Sequence, residues 1–488
     1  MRASRPARRV GSAAAAAALS AALCVAATAP VSAAPAAATG HHLTGTPVAK
    51  VTKADWEKGL RSYFVLADPA DVEAAKKAVV DNGGTVFAAY DKIGVVVAHA
   101  KGEKFADAVR AVRGVQAVGA TRTSDVPRQA YDPPIPKAPT QQQPTEKERL
   151  RWDMEQIRAD EAWKVTTGSR DVVVGVLDTG VDDQHPDLKE NFVAGKSASC
   201  AYGRLDRREG AWRDTGSHGT HVAGTIAAAK NGVGVVGVAP GVRIASVRIA
   251  EEPTGLFFPE NTVCAFMFAG DQRFDVTNNS YYTDPWQFVC PNDVDQAAIL
   301  DGVRRAVRYA QNRGVLHVAA AGNSDYDLAN KTTDSTSPND STPIKNRPIG
   351  NSCLDIPTEI PGVITVSATG DAGVKASYSN YGVAKIDVAA PGGDPFGGQD
   401  RGVYSTVPGG GFGYKAGTSM ASPHVAGVVA LLASVHPDAG PAELAALLRK
   451  QARDVPCPDD DRCTGGKELN SFYGEGEVDA AKAVRTRR

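Results

Sequence analysis

The sequence predicts an α/β fold, a doubly wound and mostly parallel sheet with helices on both faces, preceded by a small α+β domain. Three observations support this prediction. Continuous apolar runs of strand length recur at residues 171–177, 242–249 and 315–321, as in the central strands of parallel sheets. Helical stretches such as 294–312 separate such runs. Upstream, residues 62–123 alternate short strand and helix patterns of their own.

The amino terminus has the features of a secretory signal peptide, which we place at residues 1–33. Basic residues precede an alanine-rich apolar run at 12–29, and small residues follow, with cleavage expected near Ala33. A membrane anchor is the alternative, but the run is mostly alanine and ends in proline and small residues. We therefore expect a secreted, extracellular protein without membrane association after signal removal. Residues 34–61 are expected to be poorly ordered.

Residues 62–123 form a predicted small domain with the ferredoxin-like order of strand, helix, strand, strand, helix and strand. Glycines stop both helices, at Gly83 and Gly114. The following segment, 124–149, is rich in proline and glutamine and is typical of a linker open to proteases. The predicted elements are strand 63–66, helix 71–81, strands 85–90 and 93–98, helix 104–112 and strand 115–120.

The larger domain is predicted to occupy residues 150–488, with further strands at 363–367 and 386–390. A chain of 488 residues is too long for one ordinary domain, which agrees with this division. The formal net charge of −1 lacks the basic excess of nucleic-acid-binding proteins. We therefore expect no nucleic-acid partner.

The stretch from Gly417 to Gly427 predicts the start of a buried helix that carries a reactive hydroxyl. Thr418 and Ser419 are typical capping residues, and Pro423 lies in the first turn, where no backbone donor is needed. Unpaired backbone N–H groups and the helix dipole at such an end would stabilise an oxyanion. An ordinary capped core helix is the alternative for this stretch on its own.

Two upstream segments supply the partners that such a hydroxyl needs. Asp178 follows the apolar run 171–177, at the strand end where ligands bind in parallel sheets, and His218 begins a helix of small residues. Each alone is more often structural, as a turn aspartate or a buried histidine. Together with Ser419 they provide an orienting acid, a general base and a nucleophile.

Three sequence blocks resemble the signatures of the subtilisin-like serine proteases, in that family's order of Asp, His and Ser. The resemblance extends over roughly residues 157–484 and implies a subtilisin-like fold and a secreted serine endopeptidase made as a zymogen. The small domain resembles the family's propeptide, which implies a folding template and intramolecular inhibitor that is cut away within the linker. The three blocks are Asp178-Thr179-Gly180, His218-Gly219-Thr220-His221 and Gly417-Thr418-Ser419-Met420-Ala421.

The resemblance also implies roles for single residues. Ser419 would attack the scissile carbonyl, His218 would take its proton and pass it to the leaving amine, and Asp178 would orient the imidazole. Asn323 matches the family's oxyanion-hole donor, which acts with the backbone N–H of the serine. His221 would be a helix residue and not the base.

The segment that would bind substrate departs from the family pattern. Asn278 and Ser280 match a block that relatives usually follow with glycines, whereas Tyr281 and Tyr282 follow it here. An extended substrate would still pair with this segment and with Gly322. The tyrosines leave the shape of the specificity pocket open.

Calcium is the cofactor that the resemblance implies, as a structural ion, and no catalytic cofactor is expected. Asp187 and Asn231 match positions that bind calcium in the family, and hard oxygen ligands of this kind suit the ion. A bare turn in which Asp187 acts as a cap is the alternative.

The cysteines outside the signal peptide are even in number, which predicts disulfides in an exported protein. Cys457 and Cys463 flank a short polar loop that a bridge would close. Cys264 and Cys290 flank the substrate-binding segment, where a bridge would stiffen it, although a structural staple elsewhere is equally compatible. The six cysteines are Cys200, Cys264, Cys290, Cys353, Cys457 and Cys463.

Three functions remain open from the sequence. The favoured one is a secreted, monomeric endopeptidase of broad or hydrophobic preference that acts on polypeptides. A narrow-specificity peptidase that processes a precursor is consistent with Tyr281 and Tyr282. A catalytically silent binding protein would normally have lost a catalytic residue, and none of Asp178, His218 and Ser419 is lost.

Overall fold

The structure is a computed structural model that describes residues 56–102 and 104–485. The predicted signal peptide at 1–33 lies outside the described residues, as does most of the segment 34–61. Within the described part, a small domain and a larger one follow each other along the chain.

The small domain is a four-stranded antiparallel sheet with two helices, in the strand order β2-β3-β1-β4. This order of elements and pairing is the ferredoxin-like one that the sequence predicts. The elements are β1 (Arg61–Ala67), α1 (Val72–Asp81), β2 (Thr85–Tyr90), β3 (Val95–Ala100), α2 (Phe105–Arg110) and β4 (Val115–Ala120).

Alternation along β1 gives the small sheet two buried faces. Tyr63 and Val65 pack in the domain's own core with α1 and α2, whereas Phe64 and Leu66 join a core of the larger domain. A strand directs successive side chains to opposite faces, so one short strand serves both cores. The small domain is therefore held to the larger one by a shared apolar layer.

A seven-stranded parallel sheet forms the centre of the larger domain, in the strand order β13-β12-β9-β8-β5-β7-β6. Two pairs of short strands, β10 with β11 and β14 with β15, lie outside it. The strands are β5 (Val173–Asp178), β6 (Ala198–Ser199), β7 (Arg243–Arg248), β8 (Val276–Asn279), β9 (Leu316–Ala320), β10 (Thr333–Asp334), β11 (Arg347–Pro348), β12 (Val363–Thr369), β13 (Val388–Pro391), β14 (Val403–Val407) and β15 (Gly411–Lys415).

Helices cover both faces of this sheet, as the fold class predicts. Val174 and Val176 of β5 pack in a core with α5 and α8, and Val173 and Leu177 pack in a second core with α6 and α7. Every residue of β5 is buried, which explains its continuous apolar run. The helices are α3 (Trp152–Gln156), α4 (Ala159–Ala162), α5 (His218–Ala227), α6 (Pro259–Gln272), α7 (Val294–Gln311), α8 (Thr418–Val435), α9 (Pro441–Gln451) and α10 (Ala480–Ala483).

Helix α8 is the central helix of the first core. Its length and composition alone would suit a membrane span, but 83% of it is buried within the protein, as in the core helix of a soluble domain. Small residues such as Ala426 and Gly427 let it approach its neighbours closely, and a Cβ atom on Gly427 would lie 2.5 Å from Val238. This packing fixes the amino end of α8 against the sheet.

Three disulfides staple the larger domain. Cys457 pairs with Cys463, as the short polar loop between them predicts. Cys264 pairs with Cys200, and Cys290 pairs with Cys353. A bridge between Cys264 and Cys290 is therefore not formed, because each of them has a nearer partner on another segment.

Candidate active site

A buried carboxylate lies at the carboxyl end of the central sheet. Asp178 is the last residue of β5 and is fully buried. The ring nitrogen Nδ1 of His218 lies 2.8 Å from Oδ1 and 3.0 Å from Oδ2 of this carboxylate. Since an ionised carboxylate can only accept a hydrogen bond, this contact assigns a ring proton to Nδ1. In the neutral ring, Nε2 is then the basic nitrogen.

His218 is the exposed member of this pair and the first residue of α5. Its side chain is 27% exposed, and Nε2 makes no hydrogen bond with any residue in the described ranges. Burial alone would lower the pKa of His218, but the neighbouring Asp178 carboxylate outweighs burial and raises it. The ring thus keeps one nitrogen without a partner among the described residues, as a general base requires.

Ser419 is the second residue of α8 and lies at the amino end of that helix. Its hydroxyl donates a hydrogen bond to the carbonyl oxygen of Ser280 at 3.3 Å. Among the described residues it makes no hydrogen bond to His218, so the hydroxyl has to turn away from Ser280 before a proton can pass to the ring. Catalytic hydrogen bonds often form fully only with substrate bound.

The side-chain amide of Asn323 is held with its nitrogen turned outward. Its Oδ1 accepts hydrogen bonds from the backbone N–H and the hydroxyl of Thr418, both at 2.8 Å. The Thr418 hydroxyl also accepts from the backbone N–H of Gly322 at 3.1 Å. Because Oδ1 is used in this way, the Nδ2 group remains available as a donor next to Ser419.

A cavity of about 390 Å³ opens beside Ser419. Asn278, predicted to bind substrate, is fully buried and donates through Nδ2 to the Ser280 hydroxyl at 2.8 Å. It supports the wall and does not line the cavity, so its role as a substrate contact stays a prediction. The other residues predicted to bind substrate all line the cavity: Ser280, Tyr281, Tyr282 and Gly322.

The two tyrosines form one side of this cavity. The ring of Tyr281 stacks on Phe257, with 4.9 Å between the ring centroids. The hydroxyl of Tyr282 accepts a hydrogen bond from Nδ2 of Asn339 at 2.9 Å. The side chains that replace the expected glycines are therefore anchored, and they give the cavity a defined shape.

Sequence reasoning missed two acids in the cavity wall, Asp284 and Asp355. Both are almost completely buried, at 3% and 2% exposure. Burial raises the pKa of Asp284 to about 6, and burial with the nearby Glu359 carboxylate raises that of Asp355 well above its usual range. Asp284 lies close to the tyrosines in the chain and could have been suspected, but no local pattern singles out Asp355.

The two residues predicted to bind calcium are neighbours in the structure. Oδ1 of Asp187 accepts a hydrogen bond from Nδ2 of Asn231 at 3.2 Å, and Oδ2 accepts from the backbone N–H of Val235 at 3.0 Å. Burial raises the pKa of Asp187. A carboxylate and an amide beside a glycine-containing loop are donor types that fit calcium.

The linker is hydrogen-bonded to loops of the larger domain. The backbone N–H of Gln142 donates to the Gly409 carbonyl at 2.8 Å, and that of Gly234 donates to the Glu146 carbonyl at 3.0 Å. Residue 409 lies in the turn between β14 and β15, and residue 234 lies in the loop after Asn231. None of the cavity-lining residues belongs to the small domain or the linker.

The sequence is similar to a known protein family and to known proteases. Residues 169–476 match the Peptidase_S8 model of the subtilase family. The chain is 36% identical to the thermophilic serine proteinase of Bacillus sp. (strain AK1) over 56% of its length and 55% of that protein's. It is 32% identical to fervidolysin of Fervidobacterium pennivorans over 68% of its length and 43% of the relative's. The chain thus spans about half the length of these curated relatives.

Solved structures share the fold. The epidermin leader peptide processing serine protease (EpiP) of Staphylococcus aureus superimposes with a TM-score of 0.66 at 22% identity, over 88% of this chain and all of that one. At this identity the likeness concerns the fold alone. Proteases from Pseudoalteromonas arctica PAMC 21717 superimpose with a TM-score of 0.53 at 30% identity, over 70% of this chain and 99% of that one.

Proposed function

The chain belongs to the subtilase family of serine proteases, and we propose that it is a secreted endopeptidase, made as a zymogen, that works through Asp178, His218 and Ser419. The observation that supports this most is the 2.8 Å contact between His218 and Asp178. Ser419 and Asn323 line one cavity, and with His218 and Asp178 they would supply the nucleophile, the amide donor, the base and the orienting acid.

In the proposed mechanism the Ser419 hydroxyl turns from the Ser280 carbonyl toward Nε2 of His218. Nε2 takes the hydroxyl proton while Oγ attacks the scissile carbonyl carbon, and Asp178 stabilises the imidazolium that forms. Nδ2 of Asn323 and the backbone N–H of Ser419 stabilise the oxyanion. The imidazolium then gives its proton to the leaving amine, and a water molecule hydrolyses the acyl-enzyme by the same route in reverse.

Replacement of the nucleophile tests this function. We expect Ser419→Ala to lower kcat about a millionfold, as in subtilisin, when the full chain is incubated with an unrelated unfolded protein. Ser434→Ala, near the far end of the same helix, is the matched control and should keep its activity. Labelling of Ser419 by an organofluorophosphate distinguishes an active enzyme from a silent binding protein, and an unlabelled wild-type chain would contradict the proposal.

The small domain is the proposed propeptide. It packs on α7, where the Arg305 guanidinium donates to the Ala67 carbonyl at 2.6 Å and the Asp295 carboxylate accepts from the Ala120 N–H at 2.9 Å. We propose that it templates folding and inhibits the enzyme until the linker is cut, and that the mature protein acts as a monomer. Mass analysis of secreted protein should show loss of residues 34–123, and an intact amino terminus near residue 34 would contradict this role.

A narrow-specificity processing peptidase is the second candidate. Anchored tyrosines at Tyr281 and Tyr282, in place of the usual glycines, favour a restrictive cavity. A structural neighbour is by its name a leader peptide processing protease. General digestion of an unrelated unfolded protein supports the first candidate, and cleavage at a few sites supports the second.

We also propose a structural calcium ion held by Asp187 and Asn231. The ion would neutralise the buried carboxylate and tie the 230–235 loop to the domain. A chelator should lower the thermal unfolding midpoint of the full chain, and added calcium should restore it, because a ligand that binds only the folded state stabilises that state. Asp187→Asn should remove the response to the chelator, and a wild-type midpoint that ignores the chelator would exclude the site.

A further inference from the structure

The cavity beside Ser419 contains buried carboxylate oxygen without a matching donor. Asp355 is only 2% exposed, and its buried Oδ1 has no hydrogen-bond partner within residues 56–102 and 104–485. Its Oδ2 lies 3.6 Å from the point where a Cβ atom on Gly322 would stand, directly before Asn323. A buried carboxylate oxygen without a donor costs free energy until a donor or a cation reaches it.

The protein's own cations near Asp355 are already engaged. Lys331 donates to both carboxylate oxygens of Glu359 at 2.8 Å and to the Leu328 carbonyl at 3.0 Å, which uses all three of its N–H groups. Lys385 also bonds Glu359, at 2.9 Å. No Lys, Arg or His side chain is among the residues that line the cavity.

Two further side chains of the wall, Asp284 and Asn339, are joined by a hydrogen bond. Asp284 accepts from the backbone N–H of Phe257 at 2.5 Å and from Nδ2 of Asn339 at 2.6 Å. Because Nδ2 of Asn339 is turned to Asp284 and Tyr282, its Oδ1 is left buried without a donor. The cavity wall therefore contains two carboxylates, of which Asp284 is already engaged, and an amide oxygen of Asn339 that has no donor among the described residues.

The position of the cavity identifies the part of the substrate that enters it. The carbonyl carbon that Ser419 would attack is bonded to the Cα atom of the residue before the cut. A cavity lined by both Ser419 and Asn323 is therefore within reach of that residue's side chain. A lysine brings three N–H donors and an arginine five, each with a positive charge.

We propose that this cavity binds a lysine or arginine side chain of the polypeptide substrate immediately before the cut bond, with Asp355 as its counter-charge. The inference rests on the proposed peptidase function and narrows it to cleavage after basic residues. It also replaces the broad or hydrophobic preference favoured by the sequence. The cation would lower the raised pKa of Asp355, because an adjacent positive charge favours the ionised carboxylate.

The first test compares peptides that differ only in the residue before the cut. We expect the full chain, after its own processing, to cleave Arg and Lys peptides with a kcat/KM about 100-fold above that for Leu, Phe or Gln peptides. Equal cleavage of the Leu or Phe peptides would overturn the inference and leave the peptidase function intact. Failure to cut any peptide or unfolded protein would overturn both.

Asp355→Asn, which keeps the shape of the side chain, tests the counter-charge. It should lower kcat/KM for the Arg peptide by about 100-fold and change that for the Leu peptide by less than about threefold. An equal loss on both peptides would show a structural role and contradict the inference.

A second variant does not depend on how Asp355→Asn folds. Thr336 is an exposed residue of the cavity rim, so Thr336→Lys places a positive charge at the mouth of the cavity. It should abolish the preference for basic residues, whereas Thr332→Lys, which is exposed but does not line the cavity, should leave it unchanged. An unchanged preference in Thr336→Lys would count against the inference.

Discussion

Two histidine–aspartate pairs of almost the same length serve different ends in this molecule. His218 contacts Asp178 at 2.8 Å, and His424 contacts Asp153 at 3.0 Å. The ring of His218 is 27% exposed, whereas both side chains of the second pair are completely buried. A short imidazole–carboxylate contact therefore does not by itself identify a catalytic base.

The second nitrogen of each ring makes the difference. Nδ1 of His424 lies 2.8 Å from the Met420 carbonyl, so both of its ring nitrogens face oxygen acceptors. This ring joins α8 to Asp153 of α3 and has no nitrogen left for a substrate. In His218 Nδ1 is engaged by Asp178, and Nε2 makes no hydrogen bond to any described residue. A general base needs such a free nitrogen within reach of the reacting hydroxyl.

The largest difference between the two pairs is expected in catalytic activity when each histidine is replaced by alanine. His218→Ala should lower kcat about a millionfold, as loss of the triad histidine does in subtilisin, and the chain should stay at its full secreted length. His424→Ala should keep the activity of each folded molecule within about tenfold, since it lies outside the reacting groups. Active-site titration of the His424→Ala variant corrects for the folded fraction. A His218→Ala variant with measurable turnover would contradict the role of His218 as the catalytic base.

A smaller effect, on the free energy of unfolding, is expected for the pair of His424 and Asp153. Asp153→Ala should lower the free energy of unfolding by about 3–5 kcal/mol, because His424 and Arg151 would lose a buried charge partner. Glu155→Ala, an exposed change on the same helix, should stay within about 0.5 kcal/mol. Urea denaturation measures the change in the free energy of unfolding for both variants. Equal changes would show that the buried pair contributes no more to stability than an exposed residue.

The contribution of Asp153 should also depend on pH. Burial by itself would raise its pKa, but Arg151 and His424 outweigh burial and hold it below the usual 3.8. A carboxyl with a lowered folded-state pKa stabilises the protein above its unfolded pKa, and this contribution is lost as the pH falls through the folded value. The difference between wild type and Asp153→Ala should therefore narrow in strong acid.

The smallest expected effect is on the pH profile of catalysis. His218 must be neutral to accept a proton, and Asp178 raises its pKa above the ordinary 6.5. The acid limb of kcat/KM should therefore have its midpoint above pH 6.5. In the weakly active Asp178→Asn variant the midpoint should move downward, because burial then acts without the carboxylate. A midpoint that does not move would show that another group controls the profile.

Much of the fold follows from local pattern. The apolar runs at 171–177, 242–249 and 315–321 correspond to β5, β7 and β9, since a strand buried on both faces favours apolar residues on both. The six elements of the small domain are found in the predicted order. The hairpin of β14 and β15 was not predicted, because neither strand carries a continuous apolar run.

For the candidate site too, some features follow from local sequence and others only from tertiary contacts. The sequence alone determined which residues could act as acid, base and nucleophile, because each stands at the edge of an element whose pattern is local. Only the tertiary structure decided that Cys200 meets Cys264, that His424 is closed off while His218 is open, and that Asp355 faces the cavity beside Ser419. These are contacts between segments far apart in the chain, and neither periodicity nor capping carries information about which distant side chains the packed sheet brings together.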